Sequence, residues 1–313
     1  MAERGLDVLE KYDFEIKATS KGRGVIIAET DKGLKILKRY IGSGRHLKWC
    51  AQVLERLCES GIIYTDMYEK NKEGEYITES EDGGKYIVKR WYNCRDCDVS
   101  QYSDIMNTVR SVAFMHKELS NENLEKIYLD PAINDEYIRR EKEMMRIRKY
   151  LLSKRDKNYF EELAIKTYDV FMPDFSEAAE LCRNLDFGEP NLYHGSFNHH
   201  NVSFSDRIPV ISNFEKMSYG CRLRDLYSFT RKILEKNNWN RELGMTMLDE
   251  YNRIMPLDTK RIKALFIFPE RFWKIMNVYF NTSKSFIPAK NIEKLRNLID
   301  QNKNRREFIE GIH

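Results

Sequence analysis

The sequence predicts an α+β fold with two lobes, in which a small antiparallel sheet with one helix precedes a larger, mainly helical lobe. Two observations support this prediction. Strand-like alternation dominates the first ninety residues, and apolar residues at helical spacing dominate from Ser100 onward. The polar residues 93–98 lie between the two regions and predict a connector. We therefore expect an N-terminal lobe over residues 1–93 and a C-terminal lobe over residues 94–313.

The first lobe begins with three segments that alternate in polarity or are rich in β-branched residues. They cover residues 14–19, 24–30 and 33–40, and the short Gly-containing sequences between them predict tight turns. In the third segment Leu34, Ile36 and Lys38 share one face, whereas Lys35 points to the opposite face. Apolar spacing then predicts a helix over residues 44–60 that ends at Gly61, followed by strands at residues 63–68 and 85–92.

The second lobe is predicted from apolar residues that recur every three or four positions. The predicted helices cover residues 104–116, 135–154, 161–183, 226–236, 242–253, 260–281 and 292–308. A loop and a short strand pair interrupt them between residues 193 and 214. Because residues 301–313 are mostly polar, we expect the end of the chain to fray.

Length and charge exclude several classes of protein. The chain has 313 residues, 53 of them basic and 49 acidic, and this mild excess is not that of a dedicated nucleic-acid-binding protein. The first residues lack the apolar stretch of an export signal, and no window approaches about 18 uninterrupted apolar residues. We therefore expect a cytoplasmic protein that binds neither nucleic acid nor membranes.

Six cysteines are scattered along the chain, and two of them, Cys94 and Cys97, have the spacing of half a zinc knuckle or of a redox pair. No second pair with this spacing follows. Free thiols are the default in a large chain without an export signal. The spacing alone leaves metal binding, redox chemistry and a plain structural role open.

The most specific motif lies at residues 193–204, where a His-Gly pair begins a loop. Asn201 follows His194 by seven positions, and Asn213-Phe-Glu215 follows a dozen positions later. Proteins that transfer phosphate need a loop that presents a base and an amide ligand for a metal ion, and then an acidic metal ligand on a nearby segment. The motif therefore predicts catalytic roles for His194, Ser196 and Asn201, and metal contacts for Asn201 and Asn213.

A second group of residues is predicted to contact nucleotide phosphates. The turn with Gly22 and Gly24 can bring backbone N–H groups close to an anion, although an ordinary hairpin turn has the same sequence features. Lys38 points inward in the predicted strand, where an ammonium group needs an anionic partner. Glu55 on the following helix is the candidate partner; the alternative is that Lys38 extends to solvent.

The order of the predicted elements, together with several motifs, resembles the CotS-type spore-coat proteins. The motifs lie at residues 33–38, 86–98, 112–116, 194–201, 213–215 and 224–226, so the similarity covers nearly the whole chain. These proteins belong to the superfamily of aminoglycoside phosphotransferases, choline kinases and homoserine kinases, which has a bilobal protein-kinase-like fold. The resemblance implies ATP or a small hydroxylated molecule in the cleft between the lobes, Trp91 among the nucleotide contacts, and spore coat proteins as partners. It also places Cys97 in a family connector pattern rather than in a zinc site.

Two positions depart from the family pattern. Active relatives have Asp in the loop where this chain has Ser196, and Asp on the metal segment where it has Asn213. A serine does not accept a proton near neutral pH, and an amide brings no charge to Mg²⁺, a cation that favours carboxylates. His199 or His200 would be the substitute base; the alternative is that both are ordinary loop histidines. We therefore expect weak binding of ATP with little or no dependence on Mg²⁺.

Two functional hypotheses follow. The first is a degenerate kinase with weak or no phosphate transfer that acts as a structural or interaction component related to the spore coat. The second is an active ATP-dependent small-molecule kinase that phosphorylates a hydroxyl group of an amino alcohol, a sugar or an aminoglycoside-like substrate. The neutral side chains of Ser196 and Asn213 favour the first hypothesis.

Overall fold

The computed structural model describes residues 5–22, 24–59, 61, 63–120, 126, 128–205, 208–282 and 289–313, and its strands and helices confirm the predicted α+β class. The chain forms two compact units. Met1–Tyr128 and His194–Ser218 make up the first, and Leu129–Tyr193 and Tyr219–His313 make up the second. This division does not fall at residues 93 and 94, the predicted lobe boundary, because two later segments pack with the N-terminal residues.

The first unit is built on an antiparallel sheet, as predicted. The strands of the first ninety residues are β1 (Ile16–Lys21), β2 (Ile26–Thr30), β3 (Gly33–Arg39), β4 (Tyr64–Thr65), β5 (Tyr68–Glu69), β6 (Thr78–Glu79) and β7 (Lys85–Arg90). All of them except β4 belong to this sheet. The strand order is β1, β2, β3, β7, β5, and β6 also pairs with β7. In the β3–β7 pair, Lys38 lies opposite Ile87 and Ile36 lies opposite Lys89, so both lysines share one face of the sheet.

A 3-10 helix at Leu6–Lys11, which we did not predict, covers the other face of this sheet. Its apolar residues join the buried side chains of β2, β3 and β7 in one cluster, whose members are Val8, Leu9, Tyr12, Ala28, Leu37, Tyr86 and Val88. Lys35 lies on this covered face and pairs with Glu69 at 2.5 Å. Strand β1 is exposed, but on β3 and β7 each face of the sheet holds a buried lysine with a carboxylate partner, Lys35 on one face and Lys89 on the other.

Two helices and a second sheet complete the first unit. Helix α1 (Gly44–Glu59) ends as predicted at Gly61, whose φ of 69° is in the left-handed region and whose N–H donates to Cys58. Helix α2 covers Tyr102–Leu119. The second sheet has the order β4, β11 (Ile208–Ile211), β10 (Val202–Ser205) and β8 (Arg95–Asp96). This sheet joins the connector and the 194–218 segment to the N-terminal part of the chain.

The second unit is mainly helical. Its helices are α3 (Ile133–Ser153), α4 (Tyr159–Asn184), α5 (Leu223–Lys236), α6 (Arg241–Asn252), α7 (Thr259–Ile267), α8 (Glu270–Asn281), α9 (Ala289–Asp300) and α10 (Asn302–Glu310). The short strands β9 (Asn191–Tyr193) and β12 (Ser218–Gly220) flank the segment that belongs to the first unit. In the described part of the chain, no helix is long and apolar enough to cross a membrane.

Three predictions about the C-terminal helices are wrong. The predicted helix 260–281 is two helices, because Pro269 has no N–H to continue α7 and instead precedes the first residue of α8. The predicted helix 292–308 is also two helices, separated at Gln301. The end of the chain does not fray, since Phe308, Ile309 and Ile312 are buried.

A buried arginine fixes the last helix within the second unit. Arg305 donates to the Asp174 carboxylate of α4 and to the backbone oxygens of Phe266 and Ile267 at the end of α7, the latter two at 2.9 and 2.5 Å. The carbonyls at a helix C-terminus have no partner within the helix, so a cation there satisfies them. Asp174 also accepts from Arg306. Polar residues at the end of the sequence thus pair with buried groups rather than with water.

We expect Arg305→Met to destabilise the protein by about 3–5 kcal/mol, because it leaves Asp174 and two helix carbonyls buried without this cation. Urea unfolding followed by circular dichroism measures the change. Lys303→Met is the matched control in the same helix; Lys303 is 84% exposed and lies 3.9 Å from Glu307, so its loss should cost within about 0.5 kcal/mol. Equal effects of the two substitutions would contradict the anchoring role of Arg305.

Candidate functional site

The candidate site lies within the first unit, where four segments bring polar side chains together. Lys38 comes from β3 and Lys89 from β7, on the same face of the sheet. Strands β4 and β11 are parallel neighbours, with Ile211 opposite Thr65, so the residues that follow them emerge at the same edge. Asp66 and Asn213 therefore meet at this edge: the Asn213 N–H donates to the two Asp66 carboxylate oxygens at 3.2 and 3.0 Å.

The loop of residues 194–201, the His194 loop, depends on Gly195. Its φ is 74°, and a Cβ atom there would lie 2.0 Å from the backbone oxygen of Lys216, so only glycine fits. His194 is fully buried; its Nδ1 accepts the N–H of Ser196 at 3.1 Å and its Nε2 lies 2.9 Å from the Ser212 oxygen. Because a backbone N–H only donates, Nε2 carries the proton and the ring holds the loop in place.

A chain of hydrogen bonds connects the His194 loop to Lys38 through two amides. Asn201 Nδ2 donates to the backbone oxygen of Ser196 at 3.0 Å, and Asn213 Nδ2 donates to Asn201 Oδ1 at 3.0 Å. Lys38 Nζ then donates to Asn213 Oδ1 at 3.1 Å. The two end groups of this hydrogen-bonded series fix the orientation of both amides, because the Ser196 carbonyl can only accept and the Lys38 ammonium group can only donate. Asn213 and Asn201 thus bond to each other directly.

The backbone of Asn213 is held in a conformation that most residues avoid. Its φ of 68° is in the left-handed region, which asparagine tolerates better than most side chains. The bond from its N–H to the buried Asp66 carboxylate stabilises this conformation. Asp66 therefore determines where the Asn213 amide points, and it is a site residue that the sequence analysis missed.

Four charged groups form a network beneath the amides. Glu215 Oε1 accepts from Lys38 at 3.1 Å and from Lys89 at 2.8 Å, and Lys89 also pairs with Asp66. The side chains of Lys89 and Asp66 are 0% and 2% exposed, that of Glu215 is 14% exposed, and that of Lys38 is 31% exposed. Two ammonium groups and two carboxylates sum to zero formal charge. Lys38 is the member that reaches solvent.

These contacts change the pKa values of the network. Burial alone would raise the pKa of Glu215, but the ammonium groups of Lys89 and Lys38 together outweigh it and lower the pKa to about 2. Burial likewise opposes the charge on Lys89, yet the carboxylates of Asp66 and Glu215 raise its pKa. Burial raises the pKa of Asp66, although Lys89 opposes this change. Glu215 is therefore the firmly ionised acid of the network.

The predicted pairing of Lys38 with Glu55 is wrong. Glu55 lies on the exposed side of α1 and accepts a hydrogen bond from Tyr76 at 3.3 Å. Cys50 occupies the inward side of α1, and its thiol donates to the Phe214 oxygen at 3.6 Å. Five residues separate Cys50 from Glu55, which at 3.6 residues per turn places them on different sides of the helix. The carboxylate partner of Lys38 is Glu215 instead.

Other predicted nucleotide contacts lie around the sheet. The N–H of Gly22 donates to the Val25 oxygen at 2.9 Å and closes the β1–β2 turn, and Gly24 has a φ of 74°. Arg23 between them lies outside the described residues. Trp91 follows β7 and is 36% exposed. Their role in nucleotide binding stays a prediction.

The other candidate groups lie outside the hydrogen-bond chain from Ser196 to Lys38. His199 and His200 have ring centres 3.9 Å apart, and their use as a base stays a prediction. The six cysteines all lie in the described residues and are free thiols, as expected. Among the residues that the structure describes, no group of three or more His, Cys, Asp or Glu side chains is placed to hold a metal ion.

The amide pair does not fit a magnesium site. Mg²⁺ prefers several oxygen ligands, usually including a carboxylate, in octahedral geometry. Between Asn201 and Asn213 there is one oxygen, Asn201 Oδ1, and it accepts an N–H from the partner amide. The other oxygen, Asn213 Oδ1, accepts from the Lys38 ammonium group. Each amide oxygen thus already accepts one hydrogen bond and brings no negative charge, so these two residues do not supply the carboxylate that Mg²⁺ favours.

We expect Glu215→Gln to reduce the free energy of unfolding by about 3 kcal/mol at neutral pH, because Glu215 has a pKa of about 2 against an ordinary 4.5 and each unit is worth about 1.4 kcal/mol. A depressed pKa stabilises above the unfolded-state value, so this contribution is complete above about pH 4.5 and declines toward pH 2. Urea unfolding from neutral pH down to about pH 3 should show the two proteins converge in stability.

The control for this prediction is Glu59→Gln, a substitution of an exposed carboxylate at the end of α1. As a surface substitution it should change the free energy of unfolding by no more than about 0.5 kcal/mol. A constant difference between wild type and Glu215→Gln down to about pH 3 would show that the Glu215 charge has no part in the difference.

Comparisons with known proteins show the fold and the family of the chain. No curated protein matches the chain. Among solved structures, an aminoglycoside phosphotransferase from Alicyclobacillus acidocaldarius is 17% identical with a TM-score of 0.85, over 97% of this chain and 93% of that one. The AMP-bound spectinomycin phosphotransferase APH(9)-Ia is 13% identical with a TM-score of 0.71, over 98% and 97%. Choline kinase LicA from Streptococcus pneumoniae is 12% identical with a TM-score of 0.53, over 94% of both chains.

At these identities the solved structures show the fold alone, and the fold is the kinase-like one that the sequence analysis expected. The sequence itself matches the protein family described as "spore coat putative kinase YutH" over residues 7–312. The resemblance to spore-coat proteins with the fold of aminoglycoside phosphotransferases and choline kinases is confirmed. Because the match spans nearly the whole chain, the protein belongs to the spore coat putative kinase YutH family.

Proposed function

We propose that this protein is a degenerate kinase that binds an adenine nucleotide without a divalent cation and transfers phosphate weakly or not at all. The observation that supports this most directly is the hydrogen bond from Asn213 Nδ2 to Asn201 Oδ1. In phosphate-transferring relatives these positions hold the metal ion that neutralises the phosphates. Here one amide donates to the other, which satisfies both groups without a cation.

The His194 loop supports the same conclusion. Ser196 has an alcohol where active relatives have the carboxylate that receives the substrate proton, and its backbone oxygen is bonded to Asn198 and Asn201. Loss of a base or of an electrostatic contact commonly costs about 10²–10⁴ in rate. Two such losses in one site leave little conventional transfer.

Nucleotide binding is proposed from the parts of the site that remain. Lys38 is partly exposed on the face of the sheet that also carries Lys89. The turn with Gly22 and Gly24 follows β1, and Trp91, which follows β7, is partly exposed. One structure of the same fold holds AMP. We infer from the family that the protein works at the spore coat or in its assembly, in contact with other coat proteins.

A second candidate function is an active kinase for a small hydroxylated molecule. The observation that favours it is Glu215, a carboxylate 3.1 Å from Lys38, which is an acid within the site although Asn213 is neutral. The solved structures of the same fold include phosphotransferases and a choline kinase. The experiments below separate the two candidates.

We expect ATP to raise the thermal unfolding midpoint equally in EDTA and in excess Mg²⁺. A ligand at 100 times its dissociation constant adds about 2.7 kcal/mol of stability, which corresponds to a shift of several degrees. Differential scanning fluorimetry with ATP over a concentration series measures both midpoints. A shift that appears only with Mg²⁺, or brisk turnover of ATP by the wild type, would favour the second candidate. No shift under either condition would contradict nucleotide binding.

We expect the double substitution Ser196→Asp with Asn213→Asp to gain ATP hydrolysis in the presence of Mg²⁺. Asn213→Asp alone should lower stability by about 1–3 kcal/mol in EDTA, because it faces the Asn201 oxygen with a second acceptor, and Mg²⁺ should restore this stability. Phosphate release and urea unfolding are the measurements.

Asn198→Asp is the matched control for these substitutions. It adds the same charge to the His194 loop, but its amide bonds to Ser196 and His200 rather than to Asn213. Mg²⁺ should therefore leave its stability unchanged. If Asn213→Asp responds to Mg²⁺ no more than Asn198→Asp does, the amide pair does not stand in for a metal.

A further inference from the structure

We propose that Glu215 is a specificity-determining residue that keeps Lys38 paired, so that the site recognises the nucleoside part of its ligand and gains little from the phosphates. Adenosine, AMP, ADP and ATP would then bind with similar affinity. This inference rests on the proposed nucleotide binding and adds the class of ligand to it.

The contacts of Lys38 limit what it can offer to a ligand. Its ammonium group has three N–H donors, of which one bonds to Glu215 Oε1 and another to Asn213 Oδ1, each at 3.1 Å. One donor remains for a ligand, and it lies beside a carboxylate. A phosphate oxygen that accepts this donor would approach the Glu215 anion, so attraction to the lysine and repulsion from the glutamate largely cancel.

Glu215 is not free to move away from Lys38. The same Oε1 atom accepts from Lys89 at 2.8 Å, and Lys89 is 0% exposed. A swing of Glu215 toward solvent would leave a fully buried ammonium group with Asp66 as its remaining carboxylate partner. Breaking a buried ion pair is strongly unfavourable, so Lys89 keeps Glu215 in contact with Lys38.

The total formal charge of the network around Lys38 is zero. Lys38, Lys89, Glu215 and Asp66 sum to zero, and the amide pair of Asn201 and Asn213 adds none. A triphosphate carries several negative charges, and the cation that would balance them does not fit the amide pair. This network therefore offers the phosphate chain no net positive charge around Lys38, whereas the binding of a neutral nucleoside is unaffected by this balance.

The test measures the affinity of adenosine, AMP, ADP and ATP by isothermal titration calorimetry in EDTA. In the wild type we expect all four to agree within about threefold. In Glu215→Gln, Lys38 loses its anionic partner and the network gains one positive charge, so ATP should bind roughly tenfold tighter or more while adenosine is unchanged. The combination Lys38→Met with Glu215→Gln should remove this gain.

Glu69→Gln is the matched control. Glu69 also pairs with a buried lysine of β3, Lys35, but on the opposite face of the sheet. Its substitution should not separate ATP from adenosine. A similar gain of ATP affinity in Glu69→Gln would attribute the effect to overall charge and overturn the proposal.

Two further outcomes are decisive. ATP binding more than tenfold tighter than adenosine in the wild type overturns this inference, and so does a Glu215→Gln variant that binds both equally. The wild-type series needs no substitution, so it decides alone if Glu215→Gln does not fold. Absence of binding by all four ligands overturns the proposed nucleotide binding as well, which distinguishes the two failures.

Discussion

One carboxylate oxygen, Oε1 of Glu215, accepts hydrogen bonds from two lysines on neighbouring strands, and the geometry of the site depends on this contact. Lys89 cannot reach solvent, so its charge is tolerable only while Glu215 and Asp66 remain beside it. Glu215 is in turn the third residue of the segment that begins with Asn213. Lys89 therefore fixes the position of Asn213 in two ways. It binds Glu215, two residues later in the sequence, and it binds Asp66, which accepts the Asn213 N–H.

The amide pair joins two segments of the site by a direct hydrogen bond. A metal ion attracts oxygen atoms from two segments; an amide N–H does the same for one oxygen and carries no charge. Asn213 Nδ2 supplies this donor to Asn201, and Asn201 passes the connection on to the Ser196 backbone. The His194 loop and the 213–215 segment are thus joined by neutral hydrogen bonds, each strengthened by the partial shielding of the site from water.

The sequence was sufficient for the features that depend on local pattern and insufficient for those that depend on packing. Alternation along β3 placed Lys38 inward, and the spacing of His194, Asn201 and Asn213 brought together residues that do lie in one network. The spacing along α1 already puts Glu55 on a different side from the inward Cys50, whereas the actual partner of Lys38, Glu215, comes from a distant segment that no local pattern reveals. Asp66 and Lys89 gave no local signal, since Asp66 follows a two-residue strand and the ion partners of Lys89 lie at distant positions of the sequence.

The charge balance also explains why the neutral residue at 213 and the poor fit for metal belong together. With Glu215 in place, an aspartate at position 213 would put a third carboxylate beside two lysines, and the network would hold one uncompensated negative charge in a largely buried position. Burial makes such a charge costly unless a cation joins it. Without a cation, asparagine is the side chain of the same shape that keeps the sum at zero and supplies an N–H to Asn201. A neutral side chain at position 213 therefore keeps the charge of the network balanced, which is consistent with the proposed function.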